Sequence, residues 1–325
     1  MPSLRQLEYI VELSDSGQFV ETARKCAVSQ PALSKQIREV EESLGVVLFE
    51  RARPRVLVTP IGREVVRRAR QILLQAKELE DAAVASQALP RGTFRLGVIP
   101  TIAPYGLPGL LTRLRDLYPE ALFAIFERQT DILLEELRLG QIDLCLLARP
   151  IPNEGLKGTD LVHEPFVLVG PTDHVLRGSD AVSIEDVTGA DLILMEDGHC
   201  LREQAMEVCA LANSPRQLKV AAGSISTLVR MVESGLGATL IPASALSSEV
   251  SKNEAVFARS FSGPQPGRTL TLQWRASSPN ANWFREIAEV LRAHYLGMNA
   301  NLCKIAGPPP RMRSVDQDAT AHAGD

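Results

Sequence analysis

The chain has 325 residues, too many for one small domain; 45% are hydrophobic and 23% charged, and the mean hydropathy is +0.00. These proportions exclude a disordered chain and supply enough apolar side chains for two or three packed domains without disulfide staples. The net charge of −4 excludes nothing by itself, yet between Arg24 and Arg70 eleven Lys/Arg stand against five Asp/Glu, a local +6. Such a cluster is either a solvated basic face or a surface that contacts nucleic acid. Met1–Ile10 has no basic segment followed by an apolar one. No run reaches the roughly 18 apolar residues of a membrane helix. A cytoplasmic protein with no membrane partner is expected.

Three short helices are predicted first. Leu4, Leu7, Ile10 and Val11 share one helical face, and Phe19, Val20 and Ala23 share another. Ser29 starts a third helix, with Pro31 in the first turn, where a missing N–H costs nothing. Leu33, Ile37, Val40 and Leu44 keep its period until Gly45. VVLFERARPRVLVTPIG follows, two apolar stretches around an Arg/Pro-rich turn, the pattern of a β-hairpin wing. After Gly62 a glycine-free stretch runs to Pro90, with Val65, Val66, Ala69, Ile72, Leu73, Ala76, Leu79 and Ala83 on one stripe. About 26 residues of helix span nearly 40 Å. A single apolar stripe of that length needs a partner, most simply a second copy. The segment reads as a linker and dimerisation helix.

From Arg91 strands and helices alternate: TFRLGVIP, GLPGLLTRLRDLYP, ALFAIFERQ, DILLEELRLGQ and IDLCLLA. The alternation resumes at PFVLVGP and closes with TLTLQWR and NANWFREIAEVLRAHY. This predicts an α/β region with a mostly parallel sheet, in two lobes with a cleft between them. NLCKIAGPPPRMRSVDQDATAHAGD has no period and reads as a disordered tail. The expected division is 1–60 for DNA binding, 61–90 for the linker, 91–300 for the α/β region and 301–325 for the tail.

VSQPALSKQIR has the character of a DNA-reading helix. Ser29, Gln30, Ser34, Lys35 and Arg38 face the major groove, while Leu33 and Ile37 pack behind them. Gln pairs with adenine, Arg and Lys with guanine, and Ser holds phosphate. Arg51, Arg53 and Arg55 on the wing lie near the backbone or reach the minor groove. Five cysteines, Cys26, Cys145, Cys200, Cys209 and Cys303, are no secreted disulfide framework, and none forms a CxxC pair. No metal site and no cofactor are expected. Cys26, Cys145 and Cys303 read as core or incidental. Cys200 follows Asp-Gly-His and opens a helix, so helix N–H groups, His199 and Arg202 are expected to lower its thiol pKa. A satisfied surface histidine and two unrelated buried cysteines are the plain alternative.

The order A-x4-VSQPALS with Pro31, then LG-x2-LFER, then T-x-x-G resembles the winged helix-turn-helix of LysR-type regulators. LMEDGHCLR-x-QAM with Cys209 resembles their peroxide-sensing, OxyR-like branch, as do GVIPTIAPYGLP around Thr101 and ERQT around Thr130. The resemblance spans roughly residues 1–300; Gly106–Gly109 and Leu211–Ala222 match only loosely. It implies a long linker helix and a regulatory domain of two periplasmic-binding-protein-like lobes. It also implies a non-enzymatic homo-oligomer, a dimer of dimers, bound to double-stranded promoter DNA and meeting RNA polymerase. Hydrogen peroxide would be the signal, with Cys200 peroxidatic and Cys209 resolving. Thr101, Thr130, His199 and, more weakly, Arg275 would form the peroxide site. Nine residues of intact helix separate two Cα atoms by about 13.5 Å of rise, and a disulfide tolerates about 7 Å, so this bond would require unwinding. The competing expectation is a LysR-type regulator that binds a small metabolite in its inter-lobe cleft.

Overall fold

The computed structural model describes residues 1–50, 55–84, 91–152, 154–189, 191–211, 217–263 and 265–305. Helices α1 (Leu4–Ser16), α2 (Phe19–Lys25) and α3 (Gln30–Leu44) open the chain. A reciprocal pair starts α1: the Ser3 hydroxyl accepts from Gln6 N at 3.2 Å, and Gln6 Oε1 accepts from Ser3 N at 2.9 Å. Ser29 caps α3, Pro31 lies in its first turn, and Gly45 ends it in the left-handed conformation. Leu7, Ile10, Leu13, Leu33, Ile37 and Val40 fill the core between the three helices.

Strands β1 (Phe49–Glu50) and β2 (Leu57–Val58) pair antiparallel as the wing. The Glu41 carboxylate accepts from Leu48 N at 2.8 Å and Phe49 N at 3.1 Å, tying the wing to α3. The linker helix α4 (Pro60–Val84) takes in Gly62, after which the sequence reading began the helical stretch. Thr59 and Pro60 are the start signal: the Thr59 hydroxyl accepts from Gly62 N at 2.9 Å, and proline suits the first helical position. A Cβ on Gly62 would stand 2.2 Å from the Leu48 carbonyl oxygen, so Thr-x-x-Gly is a cap followed by a close approach. Val66 and Ala69 of α4 enter the core of the first three helices. Residues 85–90 of the expected linker lie outside the described residues.

The first lobe is built from β3 (Gly92–Val98), α5 (Ala103–Leu117), β4 (Ala121–Glu127), α6 (Thr130–Arg138) and β5 (Leu144–Ala148). Strand β6 (Leu156–Pro171) then leads into the second lobe: β7 (Leu192–Met195), α7 (Cys200–Leu211), β8 (Gln217–Ala222), α8 (Ile225–Glu233), β9 (Thr239–Pro242), α9 (Leu246–Glu249) and β10 (Val256–Ser260). The chain returns to the first lobe through β11 (Gly267–Arg275) and α10 (Ala281–Ile305).

The sheet is mixed, not mostly parallel. β3 pairs parallel with β4 and β5, but β11 runs antiparallel between β5 and β6, and β9 and β10 both lie antiparallel on β6. One strand serves both lobes. The stretch of β6 from Leu156 to Pro165 pairs with β11, and from Phe166 onward it pairs with β9 and β10. Its strand signal begins only at Pro165 because Lys157–Asp160 carries no apolar alternation. Each lobe has its own core, one around Leu96, Leu144 and Trp274, the other around Leu168, Ile193 and Leu240. The expected tail is helical to Ile305 as the end of α10, and the remainder lies outside the described residues.

Candidate functional site

Cys200 is the first residue of α7, Thr130 is the first residue of α6, and Thr101 follows β3 in the turn to α5. All three therefore stand beyond the carboxyl ends of strands in parallel pairs, where open α/β folds hold ligands. Cys200 belongs to the second lobe by sequence, yet it is half-buried against the apolar core of the first. Gln204, one turn along α7, donates to the Arg149 carbonyl of the first lobe at 2.9 Å. Helix α7 is thus held on the opposite lobe at two points.

Glycine is required just before this helix. Gly198 has φ +89°, and a Cβ there would come within 2.9 Å of the Gln129 amide, adjacent to Thr130. Gly198→Ala is expected to cost about 1–2 kcal/mol of stability through backbone strain alone. It should also shift Gln129 and Thr130 away from the sulfur. Thermal unfolding with the iodoacetamide rate at Cys200 checks both effects; an unchanged melting temperature and rate would remove this role for Gly198.

A buried arginine completes the pocket. Arg268 Nη1 donates to Thr101 Oγ1 at 2.6 Å, Nη2 to the Thr101 carbonyl at 3.0 Å, and Nε to Glu164 Oε2 at 2.8 Å. The Thr101 hydroxyl accepts there and so keeps its own proton for a bound oxygen atom. The Thr130 hydroxyl is buried and meets no partner at full hydrogen-bonding geometry, although it faces the Cys200 sulfur closely enough to favour a thiolate.

Burial pushes the Cys200 thiol up from its ordinary range. The Arg268 charge, the Thr130 hydroxyl and the Leu201 N–H pull it down, in that order, while Glu203 adds to the upward push. The net direction is opposite to the expected lowering, because desolvation outweighs the donors. Of the expected donors the helix start supplies one, the Leu201 N–H, but the two neighbouring basic side chains are not among the groups that act on the thiol. Arg202 is turned away, with Nε 2.9 Å from Asp197 Oδ1 and Nη1 donating to the Met195 carbonyl at 2.9 Å. His199 is buried with Nε2 3.8 Å from Glu196 Oε1.

Arg275 is not in this pocket. It ends β11, seven residues beyond Arg268 and roughly 23 Å along the strand. Its Nη1 donates to the Leu137 and Ile142 carbonyls at 3.0 and 2.6 Å, with Asp143 3.7 Å away. Cys145 is core: it is fully enclosed, burial raises its thiol far above the usual range, and its sulfur lies 3.7 Å from the Leu133 carbonyl. Cys26 is half-buried against the N-terminal core, and burial raises its thiol too. The backbone of Cys209 lies in α7 and that of Cys303 in α10. Among the described residues no three His, Cys, Asp or Glu side chains gather as a metal site, and no helix is long and apolar enough to cross a membrane.

On α3, Gln30, Pro31, Lys35 and Arg38 are exposed and Ser34 is half-buried, while Leu33, Ile37 and Val40 face the core. The Ser29 hydroxyl is committed to the helix cap, accepting from Ala32 N at 3.3 Å. Arg51 and Arg53 lie outside the described residues.

Residues 4–63 match the bacterial regulatory helix-turn-helix protein model of the lysR family, and residues 87–295 match the LysR substrate binding domain. The chain belongs to the LysR family. It is 39% identical to a probable hydrogen peroxide-inducible genes activator of Streptomyces viridosporus over 90% of this chain and 94% of that one. It is 38% identical to the HTH-type transcriptional regulator EstR of Acinetobacter baylyi, over 90% of this chain and 97% of that one. A solved full-length OxyR variant from Pseudomonas aeruginosa superposes with a TM-score of 0.77 at 34% identity, covering 89% of this chain and 94% of that one.

The residues that sequence reasoning missed in this LysR-family chain are Arg268 and Glu164. A signal for Arg268 was present. In GRTLTLQWR, Arg268 shares the even positions with Leu270, Leu272 and Trp274, the face of β11 that is buried most completely. A charge in phase with an apolar stripe has to be paired. Arg275 stands out of that phase.

Proposed function

We propose that this LysR-family chain is a DNA-binding transcription regulator that senses hydrogen peroxide through Cys200. One observation carries the reading: a half-buried thiol, opening a helix, faces the Thr130 hydroxyl and the field of Arg268, which also holds Thr101. Two hydroxyls and a guanidinium around a thiol suit a small molecule made of two oxygen atoms. The thiolate attacks one oxygen, the O–O bond breaks, and Cys200 becomes a sulfenic acid while the other oxygen leaves as hydroxide. The Cys209 thiol then displaces water to form the disulfide.

Both cysteines lie in the helix Cys200–Leu211, so their Cα atoms are about 13.5 Å apart along its axis, beyond disulfide reach. Oxidation therefore unwinds α7 and removes its hold on the first lobe, including the Gln204 contact to Arg149. That rearrangement resets the lobes and, through α4, the spacing of the DNA-binding domains. Exposed Ile72 and Leu79 on α4 support a homo-oligomer, a dimer of dimers joined through this helix. Gln30, Ser34, Lys35 and Arg38 read promoter DNA in the cytoplasm, where RNA polymerase is the further partner. The protein regulates and turns over no substrate.

The test is peptide mapping by mass spectrometry after a slight excess of hydrogen peroxide and a thiol-blocking quench. A Cys200–Cys209 cross-link within seconds is expected, and none in Cys200→Ser. If both thiols stay free over minutes, the reading falls and a metabolite in the inter-lobe cleft replaces it.

A further inference from the structure

Helix α6 touches the entrance of α7 at one end and the linker helix at the other. Its N-cap residue is Gln129, and a Cβ built on Gly198 would come within 2.9 Å of the Gln129 amide. Gly198 lies two residues before Cys200, so the start of α6 rests directly against the turn that leads into α7. At the other end Gly140 follows the last turn with φ +70°. A Cβ there would lie 2.4 to 2.8 Å from three carbons of the Leu74 side chain on α4. The linker helix is therefore seated on the first lobe at the point where α6 stops.

The body of α6 is stiff. Leu133, Leu134 and Leu137 are enclosed in the first-lobe core. The Gly140 N–H donates to the Leu137 carbonyl at 3.1 Å, and Arg95 of β3 donates to the Gly140 carbonyl at 2.6 Å, which keeps the turn that receives Leu74 in shape. The helix has nine residues and about 12 Å of rise. Close-packed elements shift as units between discrete arrangements, so a displacement at Gln129 is carried along α6 and not absorbed within it. Beside the Leu74 seat the packing is open. A cavity of about 330 Å³ separates Gln71 and Gln75 of α4 from Arg138, Leu156 and Arg275 of the lobe, which leaves α4 room to tilt about Leu74.

We propose that α6 couples the sensing site to the linker helix, with Gln129 against Gly198 as its input seat and Leu74 on Gly140 as its output seat. The inference deepens the proposed function by naming the route along which unwinding of α7 reaches α4. While α7 is intact, Gly198 holds Gln129, and α4 is held in turn through Gly140. When the entrance to α7 is rebuilt that hold is lost, α6 shifts as one piece, and α4 is released to tilt across the cavity.

The experiment is amide deuterium uptake by the full-length reduced chain, read by peptide mass over α4 and over the first turn of α6. Gly198→Ala and, separately, Gln129→Ala disturb the input seat, and Leu74→Ala removes the output seat. Either input variant is expected to raise uptake in the α4 segment around Leu74 about 3- to 10-fold. Leu74→Ala should raise it as well, and adding Gln129→Ala to Leu74→Ala should raise it no further. Gln129 is only half-buried, so Gln129→Ala decides the matter if Gly198→Ala does not fold. Input variants that loosen the first turn of α6 yet leave α4 at the wild-type rate overturn the proposal. Input variants that loosen neither segment overturn it too, because the seat at Gln129 then holds nothing. So does additivity of Gln129→Ala with Leu74→Ala, the mark of two independent contacts. No peroxide is used, so a chain that forms no Cys200–Cys209 cross-link yet shows the non-additive release of α4 keeps the coupling and loses only the peroxide reading.

Discussion

Arg268→Met should destabilise the regulatory region by about 3–5 kcal/mol, the usual consequence of leaving one member of a buried ion pair without its partner. Three contacts disappear together: the bonds to the Thr101 hydroxyl and carbonyl and the bond to Glu164. Methionine fills much of the volume, so the loss is chiefly that of a carboxylate shut away from water without a counter-charge. The double variant Arg268→Met, Glu164→Leu should recover most of the loss, because an apolar pair of similar size replaces a desolvated ionic one. Urea unfolding of the three proteins gives the answer. If the double variant is no more stable than the single, lost packing is responsible and the uncompensated charge is not. The same substitution takes away the strongest pull on the Cys200 thiol, so alkylation there should shift to higher pH.

Ile37→Ala is expected to cost about 2–5 kcal/mol in the N-terminal domain, since the side chain is fully enclosed and its removal leaves a cavity. A unit of this size has only a few kcal/mol in reserve, so most of its stability goes. Helix α3 should fray and operator binding should fall sharply, although Ile37 touches no DNA. The lobes have cores of their own and should be unaffected. Peroxide-driven cross-linking in this variant is therefore expected at the normal rate while DNA binding, measured by fluorescence anisotropy, is lost. If both functions fail together, the two regions do not fold as separate cores.

The local features of this chain were determined by sequence alone wherever the signal is short in range. Ser29, Pro31 and Gly45 bracket α3 because capping and proline chemistry act within a turn, and the apolar period of Leu33, Ile37 and Val40 needs no knowledge of a partner. The linker helix was legible as a stripe, but the stripe was read from Arg63, three residues past the helix start at Pro60, because Gly62 reads as a breaker. Only the fold shows that Gly62 answers the Leu48 carbonyl from inside the helix. The antiparallel half of the sheet was hidden because Lys157–Asp160 has no alternation, and pairing with β11, about a hundred residues later, is a long-range choice.

The pocket divides in the same way. Gly198, His199 and Cys200 are neighbours in the chain and were found together. Thr101 and Thr130 came from resemblance; Thr130 neighbours the Cys200 thiol across the two lobes, and Thr101 is joined to that neighbourhood through Arg268. Arg268 and Glu164 lie 104 residues apart and meet only through strand register, which no local pattern encodes. The direction of the Cys200 thiol was the last thing tertiary structure decided. A helix start and nearby basic residues argue for a lowered pKa, but Arg202 pairs with Asp197 and the Met195 carbonyl instead, Cys200 packs half-buried against the first lobe, and desolvation outweighs every donor left to it.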